Sequence, residues 1–260
     1  MLILLTNDDG IHSAGLQALA DSLQPLGRIV VVAPDRERSA VGHALTLHAP
    51  LRAEEIMTDR WAVSGTPTDA VSLGIQGLLK AKPDLVISGI NKGGNMGDDL
   101  TYSGTVAAAM EATLMGVPAM AVSLCAETFA YAAFAHATHV AKVLAGSLLD
   151  HGLPADTFLN INVPSDSPKG IHLTRQGKRI YQDAVVQNLD PRGRTYYWIG
   201  AGELDFQDLD GTDFHAVRHG YVSVTPLHLD LTNYAAMDRL RQWHMDQLNI
   251  DPSEEDPADE

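Results

Sequence analysis

The stretch LLTNDDG, Leu4 to Gly10, sets Asp8 and Asp9 side by side directly after an apolar run. Adjacent carboxylates repel, so their pairing at the tip of a buried strand calls for a partner of opposite charge. A divalent cation between them turns repulsion into attraction, and Gly10 allows the sharp turn that faces both toward it. Two further oxygen donors follow apolar runs of the same kind. Ser39 comes after RIVVVAPD, and Asn91 ends PDLVISGIN. Two carboxylates, a hydroxyl and an amide oxygen suit one hard cation per subunit, Mg²⁺ or Mn²⁺. No cysteine pair and no H-E-x-x-H occurs, and the eleven histidines show no ligand spacing, which argues against zinc.

A second feature is YSGTVAAAM. Ser103, Gly104 and Thr105 open a helix whose next residues are small. Free N–H groups and the positive end of the helix dipole can cradle a phosphate there. A cation and an anion cradle on one edge point to a phosphate ester attacked in line by a metal-activated water. No cysteine nucleophile, Ser/His pairing or D-x-D motif offers a covalent route. Asp8, ahead of Asp9 by a narrow margin, is the candidate to orient or deprotonate the water. Plainer readings stand beside these. The two aspartates could cap a helix starting near His12, Ser103 could be an ordinary N-cap, and Ser39 a loop residue. The glycine-rich loop NKGGNMGDD is neither a Walker A sequence nor a dinucleotide fingerprint.

Composition narrows the classes. The 260 residues are 45% hydrophobic, enough for one large α/β domain or two small ones. The net charge is −15, and the last ten residues, DPSEEDPADE, carry six of those negative charges. That balance speaks against stable nucleic-acid binding, which usually presents a basic face. No apolar run approaches the roughly 20 residues of a membrane helix. The opening Met1–Leu5 lacks a basic n-region and reads as a strand, not a signal peptide. A single cysteine, Cys125, fits a cytoplasmic protein without a disulfide framework.

The elements that must position these residues follow from periodicity. Strands apolar throughout (MLILLTN, RIVVVAPD, PDLVISGIN, VPAMAVSL, TFLNINVP) alternate with helical patterns, and WAVSGTP adds a shorter strand. This predicts a Rossmann-like, doubly wound, mostly parallel α/β sheet over residues 1–165, covered on both faces. In such sheets, ligands bind beyond the carboxyl ends of the strands, where Asp8, Asp9, Ser39 and Asn91 all fall. After Pro164 the strands continue but the helices between them stop. Residues 176–200, with Tyr196, Tyr197 and Trp198, predict an extended β-hairpin. Residues 234–250 predict a C-terminal amphipathic helix, and 251–260 a disordered acidic tail. The whole is read as a single domain.

Several blocks together carry a resemblance. LLTNDDGIHSAGLQAL, VVAPDRERSAVGHALTL, SGTPTDAV, PDLVISGINKGGNMGDDLTYSGTVAAAMEA, NINVP and GYVSVTPLHLDLT occur in order and extend nearly to Thr232. The chain resembles the SurE family of stationary-phase survival proteins and nucleotidases. The resemblance implies a divalent-metal-dependent phosphatase of nucleoside 5′- and 3′-monophosphates, with short polyphosphate as a further substrate. It implies Asp8, Asp9, Ser39 and Asn91 as metal ligands, and Asn95, Ser103, Gly104 and Thr105 as phosphate-binding residues. It also implies a homodimer or homotetramer that exchanges C-terminal elements and pairs its long hairpins. Two other classes remain open on the residues alone. One is a nucleotide-binding regulator without turnover; the other is a metal-dependent hydrolase or transferase acting on a different substrate.

Overall fold

The computed structural model describes residues 1–181, 185–199 and 204–245. The chain divides into two compact units, Met1–Leu229 and Asp230–Glu260. The first begins with β1 (Leu2–Thr6), α1 (Ala14–Leu23), β2 (Arg28–Pro34), β3 (Ala53–Met57), β4 (Arg60–Val63) and α2 (Pro67–Leu73). It continues with β5 (Leu85–Lys92), α3 (Gly104–Leu114), β6 (Ala119–Cys125), α4 (Ala135–His151) and β7 (Thr157–Pro164). Then come β8 (Ile171–Leu173), β9 (Arg179–Tyr181), β10 (Val185–Leu189), β11 (Thr195–Ile199), β12 (Leu204–Phe206), α5 (Asp213–Arg218) and β13 (Val222–His228). The second unit contains α6 (Tyr234–Arg241).

Nine strands form one sheet in the order β3-β4-β2-β1-β5-β6-β7-β13-β8. The six from β4 to β7 run parallel, as the alternation of strand and helix requires. These strands are apolar throughout because both faces are covered. Ile3 and Leu5 of β1 face one core with Leu16, Leu19 and Leu23 of α1 and Ala137 and Ala141 of α4. Leu4, on the opposite face, packs in a second core with Val71 of α2 and Val106, Ala109 and Ala112 of α3. The alanines of α3 let that helix lie close on the sheet.

Local chemistry starts the helices where the sequence places them. Ser13 caps α1, accepting from Leu16 N. Thr66 and Asp69 form a reciprocal capping box on α2, with Pro67 at its first position.

The structure differs from expectation in four places. An antiparallel edge strand, β3, lies beyond β4. Its sequence, AEEIM, is mostly exposed, so it carries no apolar alternation to announce it. The helices do not stop after Pro164: α5 inserts one short helix before β13. The predicted hairpin appears as β10 paired with β11, Val185 opposite Ile199, and a second antiparallel pair forms from β9 and β12. The C-terminal helix covers Tyr234–Arg241, short of the span predicted. Residues 246–250 of that span and the acidic tail lie outside the described residues.

Candidate active site

The carboxyl ends of β1, β2 and β5 and the first turn of α3 converge on one cavity of about 270 Å³. Asp8, Ser39, Asn91, Lys92, Asn95, Asp99, Tyr102 and Ser103 contribute to its wall. β1 delivers Asp8 to that wall; Asp9 follows it in sequence and is not among the wall residues. Asn7, fully buried behind them, donates its side-chain amide to Gly10 O at 3.2 Å and to Ser13 Oγ at 2.6 Å, which fixes the turn into α1. Gly10 sits at φ +95°, and a Cβ there would meet the Arg36 backbone at 3.0 Å. The loop after β2 is laced to this tip, since Arg38 N donates to Asp8 O at 2.7 Å. That bond brings Ser39 to the cavity. Ser39 donates its hydroxyl to Glu37 at 2.8 Å, and its oxygen lone pairs remain available to a cation. On β5 the pairing register shifts between Gly89 and Asn91. Such an irregularity re-aims the strand end. Asn91 then donates its Nδ2 to Gly93 O at 2.9 Å, which assigns Oδ1 as its free acceptor.

The carboxylates sit in an environment that disfavours their charge. Burial pushes the Asp8 carboxyl above its ordinary value; the Thr105 bond opposes this and the Asp9 charge adds to it. Burial also raises Asp9, against the pull of Lys92, whose ammonium lies 3.4 Å from Oδ1. Asp9 Oδ2 is buried and, among the described residues, has no hydrogen-bond partner. An all-oxygen donor set with one orphaned carboxylate oxygen fits a hard divalent cation.

The first turn of α3 also meets one of the site's own carboxylates. Thr105 Oγ1 donates to Asp8 Oδ1 at 2.6 Å, and the Thr105 backbone also bonds to that carboxylate. A Cβ on Gly104 would lie 3.0 Å from Asp8 Cβ and 3.2 Å from its Oδ2. Thus Thr105 bonds the Asp8 carboxylate, Gly104 lies close beside it, and neither is among the residues that line the cavity. Ser103 does line it, while its hydroxyl also accepts from Val106 N at 3.1 Å as the cap of α3. Asn95 is set by a buried network. Its Nδ2 donates to Ser123 Oγ at 2.8 Å, its backbone N donates to Asn162 Oδ1 at 2.8 Å, and its carbonyl accepts from Asn160 and Asn162.

Sequence reasoning missed three contributors. Lys92 carries a cationic group to the cavity beside Asp9. Tyr102 presents a ring that is 62% exposed on the cavity wall. Asp213, the first residue of α5, is fully buried and accepts from Gly97 N at 2.8 Å and Gly177 N at 2.9 Å. It clasps the glycine-rich loop from 116 residues away, a distance no local motif spans. The adjacency of Lys92 to Asn91 was the available signal for the first; the other two had none.

Fold and site together define a three-layer α/β protein with an acidic, oxygen-lined cavity at the carboxyl edge of its sheet. The family described as Survival protein SurE matches residues 3–183. The chain is 63% identical over 245 residues to "5'-nucleotidase SurE" of Syntrophotalea carbinolica, covering 94% of this chain and 98% of that one. It is 59% identical over 248 residues to the protein of the same name from Geobacter sulfurreducens, covering 94% of each. Among solved structures, the SurE protein from Aquifex aeolicus aligns with a TM-score of 0.84 at 47% identity, covering 94% of this chain and all of that one. The chain belongs to the SurE family.

Proposed function

We propose that this chain is a divalent-metal-dependent phosphatase that hydrolyses nucleoside 5′- and 3′-monophosphates to nucleoside and phosphate, with short polyphosphate as a further substrate. The observation that carries the reading is the pair Asp8, a buried residue, and Asp9, whose side chain is enclosed with its Oδ2 unpartnered among the described residues. The names of the relatives supply the substrate class. Asp8, Asp9, Ser39 and Asn91 would hold the cation. When bound, it supplies charge neutralisation and Lewis acidity toward the phosphoryl group and a nucleophilic water.

The chain's own residues divide the rest. Thr105 holds Asp8 in one orientation, so that carboxylate is the group placed to accept the proton of an attacking water. Lys92 offsets charge beside Asp9 and can meet a phosphoryl oxygen. Ser103 and Asn95 line the cavity as phosphate-binding donors. Gly104 allows α3 to approach Asp8. We place the protein in the cytoplasm as a homodimer or homotetramer. Support comes from one free thiol, Cys125, and from the exposed hairpin aromatics Tyr197 and Trp198, which suit pairing between copies. No described helix is long and apolar enough to cross a membrane.

Phosphate release from a panel of 5′- and 3′-nucleotides, sugar phosphates and tripolyphosphate tests this. Turnover of nucleoside monophosphates above the other esters is expected. Tight nucleotide binding without phosphate release would favour a regulator.

A further inference from the structure

We propose that Asp208, His215 and His219 form a second metal site, suited to a borderline divalent transition ion such as Zn²⁺. Each offers one donor atom, and the three atoms lie within 4.8 Å of one another. It is the only such group of three His, Cys, Asp or Glu side chains among the described residues. The motif is HAVRH, in which His215 on α5 and His219 at its C-cap are four apart and share a face. Their rings lie with centroids 4.1 Å apart, tilted 33° to one another.

Both imidazoles are already oriented. His219 Nδ1 lies 2.8 Å from the His215 carbonyl oxygen, which can only accept, so the proton is on Nδ1 and Nε2 keeps its lone pair when the ring is neutral. His215 Nδ1 lies 2.7 Å from Asp208 Oδ1, and a metal taken between them replaces that hydrogen bond, with the His215 proton carried on Nε2. A second carboxylate, Asp210, stands 3.6 Å from His215 Nε2 and its side chain is fully exposed, free to turn inward. Nitrogen with carboxylate is a softer donor set than the all-oxygen cavity, so the two sites select different ions. The site has a structural consequence as well. Asp213 at the other end of α5 clasps Gly97, so a metal on the last turn would brace the helix that holds the glycine-rich loop.

Visible absorption of Co²⁺ tests the proposal. The metal-free protein is titrated in excess Mg²⁺, which occupies the oxygen site, and Zn²⁺ is used to displace the signal. One Co²⁺ per chain with ligand-field bands, displaced by one equivalent of Zn²⁺, is the expected result. His219→Ala should lower the Co²⁺ affinity at least tenfold, while its melting temperature without metal and its Mg²⁺-supported phosphate release stay at the parent values. His215→Ala, checked for fold by circular dichroism, should do the same to Co²⁺ binding. Absence of a Co²⁺ signal at stoichiometric protein, or equal affinity in His219→Ala, overturns the site.

Discussion

Thr105 donates its hydroxyl to Oδ1 of Asp8 at 2.6 Å, joining the first turn of α3 to the tip of β1. The helix N-terminus read as an anion cradle also meets one of the protein's own carboxylates. This bond favours the ionised form of a group that burial pushes the other way. The threonine therefore fixes the direction of Asp8 and opposes, without overcoming, the effect of burial on its charge.

Thr105→Ala should lower kcat/KM by about ten- to over a hundredfold, the equivalent of one hydrogen bond to a charged group at roughly 1.5–3 kcal/mol. Thr105→Ser, which keeps the hydroxyl, should stay within about threefold of the parent. Steady-state kinetics on the pair checks this. Equal losses in both variants would assign the effect to packing.

Gly104 should tolerate nothing larger. An added Cβ would stand 3.0 Å from Asp8 Cβ and 3.1 Å from Pro67 Cγ. Gly104→Ala should reduce turnover by displacing Asp8, and Gly104→Val should reduce it further, by more than Thr105→Ala does. A Gly104→Val protein as active as Thr105→Ala would show that the gap beside Asp8 can open at little cost.

Asp69 gives the fold an acid-sensitive joint. Burial raises its carboxyl, but bonds from Thr46 and Thr66 outweigh that and hold it below the usual carboxylate range. Its oxygens accept from Thr46 N at 2.9 Å and Thr46 Oγ1 at 2.6 Å, and cap α2 through Thr66 N at 2.9 Å. A depressed carboxylate stabilises the fold fully above its unfolded value of about 3.9, and the contribution is lost as pH falls through the lower folded value. Asp69→Asn should cost roughly 0.5–2 kcal/mol at neutral pH, the range of a lost helix cap. The gap between the two proteins should close in strong acid. Urea midpoints measured from pH 7 downward follow it; a gap that stays constant would remove Asp69's charge from the cause.

The parallel sheet was legible because β1, β2, β5, β6 and β7 are each buried on both faces and alternate with helical periods. β3 was not, because its exposed glutamates give no apolar alternation. α5 was not, because six residues are too few to show a period. In the site, Asp8 and Asp9 stood out as a charge conflict at a strand end, and Ser39, Asn91, Asn95 and Ser103 line the same cavity as Asp8. The direction of Thr105 was hidden, since sequence shows that a hydroxyl opens a helix but not which anion lies in front of it. The clasp by Asp213 and the close pair His215 and His219 were hidden for different reasons. The first depends on tertiary contact alone. The second is written as H-x-x-x-H, and gains meaning only when Asp208 folds against it.

The central claim is that Asp8 and Asp9 share a cation on which hydrolysis depends. The direct measurement is phosphate release from a nucleoside 5′-monophosphate by the chelator-treated parent and by Asp9→Asn, each titrated with Mn²⁺ or Mg²⁺. The parent should be inactive without metal and recover on titration. Asp9→Asn should stay inactive at every metal concentration, while melting without metal at or above the parent temperature because one buried repelling charge is gone. Full turnover by the chelated parent, or near-parent turnover by Asp9→Asn at low metal, would contradict the account.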